Sequence, residues 1–227
     1  MKSAPDSVSA MTLKLAPCLP SIRPLPPSVS TSRGFEHSSR RHATLVPLVR
    51  QPWMLRVGSS TLLIRGCQPR DLEAVAAMHG RCSAQSLLDR YRLGGRGPSV
   101  AALQHLLRRP LGFVAATSSG HVAGFAVVGI DSHHGPTAGE AGLIVEDGWQ
   151  GQGIGRELIS HLAGGALVCG YTELVGYTAT SMAGAQRLLV DIGTTRVVQD
   201  AHHPHLHTSL PETAALGLGA VRERLAS

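Results

Sequence analysis

The stretch IVEDGWQGQGIGRELI, residues 144–159, decides the fold. Gly151, Gly153 and Gly155 stand at every second position between an apolar run ending at Val145 and a segment of helical period. A strand, a bare turn and a helix N-terminus near Gly153 make an anion site. The first amides of a helix have no internal partner, its dipole favours negative charge, and missing Cβ atoms admit phosphate oxygens. Two nucleotide readings fail on register. A Walker loop needs Gly-Lys-Ser/Thr after its glycines, and none follows. A G-x-G-x-x-G fingerprint places its third glycine on Arg156 when counted from Gly151, and on Leu158 when counted from Gly153. Taken alone, the turn also reads as a flexible glycine connector.

Outward from the turn, strand and helix patterns alternate unevenly. TLLIRGC (61–67) is strand-like, and Pro69 with Asp71 opens a helix of period 3.6 through Leu72, Val75, Ala76 and His79. Residues 83–92 and 100–109 continue as helices, broken by GGRG at 94–97 and stopped by Pro110. LGFVAATS and HVAGFAVVGI, joined at Ser119-Gly120, predict a hairpin. EAGLIV (140–145) is the next strand, followed by the glycine turn and a helix from about Gly153 to Cys169. TELVGYT (172–178) is a strand, 181–192 a helix, and TRVVQD with LHTSLP a closing hairpin. The order β-α-α-(α)-β-β-β-α-β-α-β-β predicts an α/β protein of the α+β kind. Its sheet is mixed and not doubly wound, because three consecutive strands interrupt the alternation.

The remainder of the chain divides by composition. Residues 1–58 hold eight of the 14 prolines and nine serines, with eight Lys/Arg against Asp6 and Glu36. From Ser59 onward Lys/Arg and Asp/Glu number 13 each, so the net charge of +6 belongs to the N-terminal segment and not to a basic binding face. A nucleic-acid partner is therefore not expected. The reading gives a disordered Pro/Ser/Arg-rich tail over 1–58, a folded domain over 59–212, and a helical or frayed extension over 213–227. Asp6 and the proline cluster fit an organelle transit peptide poorly, and no secretory core or membrane-spanning run is present. A soluble cytoplasmic protein is the expectation. Cys18, Cys67, Cys82 and Cys169 are scattered without a CxxC pair, which suggests neither a disulfide framework nor a zinc site.

Gln150-Gly151-Gln152-Gly153-Ile154-Gly155 resembles the Q/R-x-x-G-x-G/A pyrophosphate signature of the GNAT superfamily of N-acetyltransferases. The resemblance covers roughly 61–210. Within the superfamily the pattern is nearest the catalytic domains of bacterial protein-lysine acetyltransferases, which carry an S-x-x-S-x-x-x-R-[FY] helix and a Glu nine residues before Trp-Gln. The matching residues are Ser83, Ser86, Arg90 and Tyr91, then Glu140 and Trp149-Gln150. The resemblance implies a GNAT-like fold and acetyl transfer from acetyl-CoA to an amine, a protein lysine or a small molecule, by direct attack in a ternary complex. It implies a pantetheine arm paired with the backbone of Leu143, Ile144 and Val145. It implies too a pyrophosphate on the turn opened by Gln150, held by amides of Gly151, Gln152, Gly153, Ile154, Gly155 and Arg156. No metal is needed for such chemistry. An oxyanion-stabilising N–H near 143–145, positioning, and removal of the amine proton suffice.

Glu140 is the candidate base. Strand alternation puts it on one face with Gly142 and Ile144, where a carboxylate beside a cleft can take an ammonium proton; by strand geometry alone it is equally an ordinary solvated Glu. The sequence departs from the family further on. Where many members carry Asn and, eight residues later, a Tyr that protonates the thiolate, this chain has Ser181 and Leu189. Ser181 can still bond the pantetheine arm. The missing phenol leaves a non-catalytic acyl-CoA-binding module as the alternative reading. Period 2 would align His203, His205 and His207 of AHHPHLH with metal-binding spacing, but Pro204 and the hairpin favour a polar turn, so no metal is assigned. His133-His134 lies in a loop near the expected acceptor mouth.

Overall fold

The computed structural model describes residues 51–92, 97–131, 133–177, 182–199 and 204–211. Among these, eight strands form one mixed sheet: β1 Trp53–Val57, β2 Ser60–Gly66, β3 Gly112–Thr117, β4 Val122–Ile130, β5 Ala138–Val145, β6 Glu173–Tyr177, β7 Thr194–Val198 and β8 His205–Ser209. The spatial order is β1-β2-β3-β4-β5-β6-β8-β7, antiparallel except between β5 and β6. A parallel pair needs a crossover, and the helix between β5 and β6 supplies it. The α-helices are α1 Leu72–Arg81, α2 Ala84–Tyr91, α3 Val100–Leu107, α4 Ile154–Val168 and α5 Met182–Val190. The mixed α/β GNAT-like fold expected from the sequence is the fold observed.

Alternation along β3 shows how the sheet acquires two cores. Phe113 and Ala115 join Leu62, Ile64, Leu158 and Leu162 under α4 and α5; Val114 and Ala116 join Val75, Met78, Leu103 and Phe125 under α1, α2 and α3. Short helices hold their ends with side chains. The Ser83 hydroxyl accepts from the Ser86 amide at the start of α2, and Ser99 from Ala102 at the start of α3. Arg65 of β2 grips Asp71, ahead of α1, through two hydrogen bonds of 2.8 and 2.7 Å. Among the described residues no helix is long and apolar enough to cross a membrane.

The structure moves one boundary. The sequence reading ends a disordered tail at residue 58, yet Trp53–Val57 is a strand paired with β2 from Trp53↔Ile64 to Val57↔Ser60. Gly58, at φ +57, turns the chain between them. A five-residue strand beside proline-rich sequence has too little period of its own, and the free edge of β2 is what organises it. Residues 1–50 and 212–227 lie outside the described residues.

Candidate active site

The glycine turn is built by side chains that point away from its opening. After β5, a 3-10 turn at Asp147–Trp149 leads through Gly151 at φ +72 and Gly153 at φ +86 into α4. Only glycine adopts such angles without steric cost. An ideal Cβ at either position would meet nothing within 4 Å, so the space beside this backbone is open. Gly153 caps α4 without a side-chain hydrogen bond, leaving the first-turn amides available. The Gln150 amide donates to the Val145 carbonyl at 2.9 Å and to the Ser86 hydroxyl at 3.1 Å; Gln152 donates to the Gly148 carbonyl. Ile154 is buried in the core. For these three residues the side chain shapes the turn, and the backbone is what remains for a ligand.

Asp147 fastens this turn to α2. Its carboxylate accepts from the Ser83 amide at 2.8 Å and from the hydroxyls of Ser83 at 2.7 Å and Ser86 at 3.0 Å. Burial pushes its pKa up, but the hydrogen bonds from Ser83 and Ser86 outweigh it and hold the carboxyl below its ordinary range. The two serines of the S-x-x-S segment thus serve the turn. Arg90 and Tyr91 serve the strand. The Arg90 guanidinium occupies the space where Gly142 lacks a Cβ, and it stacks over Tyr91 at 4.7 Å. Tyr91 donates to His79 Nε2 at 2.6 Å while His79 Nδ1 donates to the Val75 carbonyl, and burial lowers the His79 pKa so that the ring stays neutral.

Beside the turn the sheet opens. β5 pairs with β6 only from Ala138↔Glu173 to Glu140↔Val175, whereas its other edge follows β4 as far as Val145. Beyond Glu140 the strands part around a cleft of about 730 Å³. Ala141, Leu143 and Val145 form one wall, Gly176 and Tyr177 the other, with Leu188 and Leu189 of α5 closing one side. The cleft reaches Gly151, Gly153, Gly155 and Arg156 at the mouth of α4. Among the described residues no strand pairs with 141–145 on this edge, so it can accept an extended ligand.

The sequence-predicted residues fall into three groups. Leu143, Ile144, Val145, Gln150, Gly151, Gly153, Gly155 and Arg156 line the cleft, although the Ile144 side chain packs towards α1 and α2 and is buried. Gln152 and Ile154 lie in the turn without lining it. Ser181 lies outside the described residues. Arg156 is exposed and ion-paired with Asp191, Nε to Oδ2 at 3.1 Å. Glu140 sits at the last paired position before the strands part, half-buried, one residue from the cleft wall. Leu189 is buried and packs on Gly176. The phenol that does line the cleft is Tyr177, which donates to Asp131 Oδ2 at 3.3 Å. The sequence reading missed it because it arrives from β6 and not from α5.

Comparison with known proteins agrees with this geometry. The acetyltransferase (GNAT) family model matches residues 84–193. The fold is similar to the GNAT domain of S. lividans PAT, with TM-score 0.60 and 16% identity, covering 70% of this chain and 97% of that one. It is similar to a GNAT-family acetyltransferase from Streptococcus pneumoniae, with TM-score 0.51 and 18% identity over 66% of this chain and 99% of that one. It is also similar to a phosphinothricin acetyltransferase from Sinorhizobium meliloti in complex with acetyl-CoA, with TM-score 0.50 and 16% identity over 66% and 89%. No curated protein sequence matches this one. The fold is therefore that of these GNAT-domain structures, and residues 84–193 match the acetyltransferase (GNAT) family model.

Proposed function

We propose that the protein transfers an acetyl group from acetyl-CoA to an amine, with protein lysine as the acceptor class nearest its sequence pattern. The observation that carries this reading is a single continuous cleft that joins an unpaired strand edge to an open helix N-terminus. The amides of Gly151 to Arg156 would hold a pyrophosphate, and the edge of Leu143, Ile144 and Val145 would pair with an amide-bearing arm. Acetyl-CoA supplies a thioester already activated towards amines. The chain then has to align the acceptor, stabilise charge on the carbonyl oxygen with a β5 amide, and remove a proton. Glu140, where the strands part, is the base in this reading. A lysine acceptor with pKa near ~10.4 is charged at neutral pH and must lose that proton before it attacks.

Leu189 favours a second reading, acyl-CoA binding without turnover, since no phenol stands on α5 to protonate the thiolate. A panel of lysine peptides and small amines, assayed for thiol release from acetyl-CoA, separates the two. Turnover with one acceptor class supports transfer and identifies the substrate; tight CoA binding without turnover supports the second reading. Calorimetry with Gly153→Glu tests the cradle beneath both. The charge and Cβ should abolish measurable CoA binding, and unchanged affinity would remove the turn from the site.

A further inference from the structure

The motif AHHPHLH acquires a partner that its spacing does not reveal. His205 and His207 alternate along β8 on one face, both buried, and the connection after β4 brings His134 against them. The ring centroids lie 4.8 Å apart for His134 and His205, 4.5 Å for His134 and His207, and 5.4 Å for His205 and His207. One nitrogen from each ring falls within 4.8 Å of the others. We propose that His134, His205 and His207 form a Zn²⁺ site.

The groups around the rings support a metal. Asp131 Oδ2 accepts from His134 Nδ1 at 2.8 Å, and Glu173 Oε2 lies 3.4 Å from His207 Nδ1. The carboxylate hydrogen-bonded to His134 Nδ1 holds the proton there and leaves the Nε2 lone pair for a ligand, the arrangement found behind metal-bound histidines, and Glu173 stands on the same side of the His207 ring. Asp131 is itself fixed, accepting from the His133 amide at 2.8 Å and from the Tyr177 hydroxyl at 3.3 Å. Two carboxylates beside the three imidazoles balance a divalent charge. An all-nitrogen set suits Zn²⁺ and not the oxygen-seeking Ca²⁺ or Mg²⁺. With Zn–N near ~2.0–2.1 Å, tetrahedral ligand atoms lie about 3.4 Å apart, so the widest pair must close by about 1.5 Å. His134, on a connecting segment, is the ligand whose backbone is not held in the sheet.

Among the described residues three ligands converge, and a tetrahedral Zn²⁺ takes a fourth. Bound metal fastens the β4–β5 connection to β8. It does so beside Tyr177, whose ring lies 5.3 Å from that of His205 and which also lines the cleft. The sequence reading weighed His203, His205 and His207 and assigned no metal; His203 lies outside the described residues, and the described ring that meets His205 and His207 is His134.

The test uses the full chain, untagged, stripped by chelation and titrated with ZnCl₂, with metal content measured after desalting. We expect one Zn²⁺ per chain, a raised Tm at saturating zinc, and tetrahedral visible bands when Co²⁺ replaces it. His134→Ala and His207→Ala should each weaken binding by more than the ~10–100-fold expected of Asp131→Asn. If an alanine variant does not fold by circular dichroism, His134→Gln and His207→Gln replace it. Failure of the unmodified chain to take up one zinc would overturn the proposal. So would binding that survives loss of His134 and His207. None of these readouts depends on acetyl transfer.

Discussion

The two edges of β5 behave differently although they belong to one strand. On the β4 side it pairs at seven positions, from Gly124↔Val145 to Ile130↔Gly139; on the β6 side it pairs at three. β4 stays because both its faces are anchored, Ala126 and Val128 under α4 and Phe125 and Val127 under the other helices. β6 departs after Val175, and α5 fills part of the gap. Leu188 reaches towards Gly155, and Leu189 Cδ1 stands 3.1 Å from an ideal Cβ on Gly176. The difference shows how a sheet makes a binding site without a loop. Where pairing stops inside a packed molecule, backbone donors and acceptors remain to be satisfied, and a ligand can do so.

The sharpest way to probe that junction is Glu140, the last residue paired on both edges. Glu140→Gln keeps the shape and removes basicity, so kcat should fall ~10²–10⁴-fold with CoA affinity nearly constant. The deficit should shrink as pH approaches the acceptor's own pKa. A full-rate variant at neutral pH would assign the proton to another route.

Next in size are two truncations of residues with no exposed surface. Leu62→Ala lies on the continuous half of the sheet and Leu174→Ala at the centre of the three-position seam. Each should cost ~2–5 kcal/mol in chemical denaturation. Only Leu174→Ala should also weaken CoA binding, because the seam sets where β6 departs. Equal losses of CoA affinity in the two would break the contrast.

Protonation gives a smaller and graded effect on both faces of the sheet. Burial lowers the pKa of His79 among α1 and α2 and of His161 on α4. The unfolded chain therefore binds protons more readily than the native one. Stability from these groups is complete above the unfolded histidine value of ~6.5 and is lost as pH falls towards the lower native values, by at most about 1.4 kcal/mol per pH unit for each ring. Replacing both by Gln should flatten the slope of ΔG against pH between neutrality and mild acid. The smallest change is expected of Asp191→Asn at the cleft mouth. Its partner Arg156 is 64% exposed, so stability should shift by less than ~0.5 kcal/mol by denaturant melts.

Much of this architecture is legible in local sequence. The hairpin at Ser119-Gly120, the helix stop at Pro110 and the turn at 150–155 rest on backbone preferences carried by single residues, so they are read without neighbours. β1 was not legible, because Trp53–Val57 becomes a strand only through the edge of β2. Nor was the division of labour within the turn. Gln150 and Gln152 stand inside the motif, yet their side chains bond to carbonyls of the protein, and nothing in a residue's identity says which way its amide points.

The sequence by itself determined the class of fold, the order of its elements from β2 onward and the position of the glycine turn, because periodicity and glycine conformation are local properties of the chain. Only the tertiary structure decided where β6 parts from β5, that Arg90 fills the space left by Gly142, that Tyr177 lines the cleft, and that His134 meets His205 and His207. These depend on side chains from segments tens of residues apart occupying one volume. Close packing fixes such meetings once every element is in place, and no spacing along a single segment encodes them.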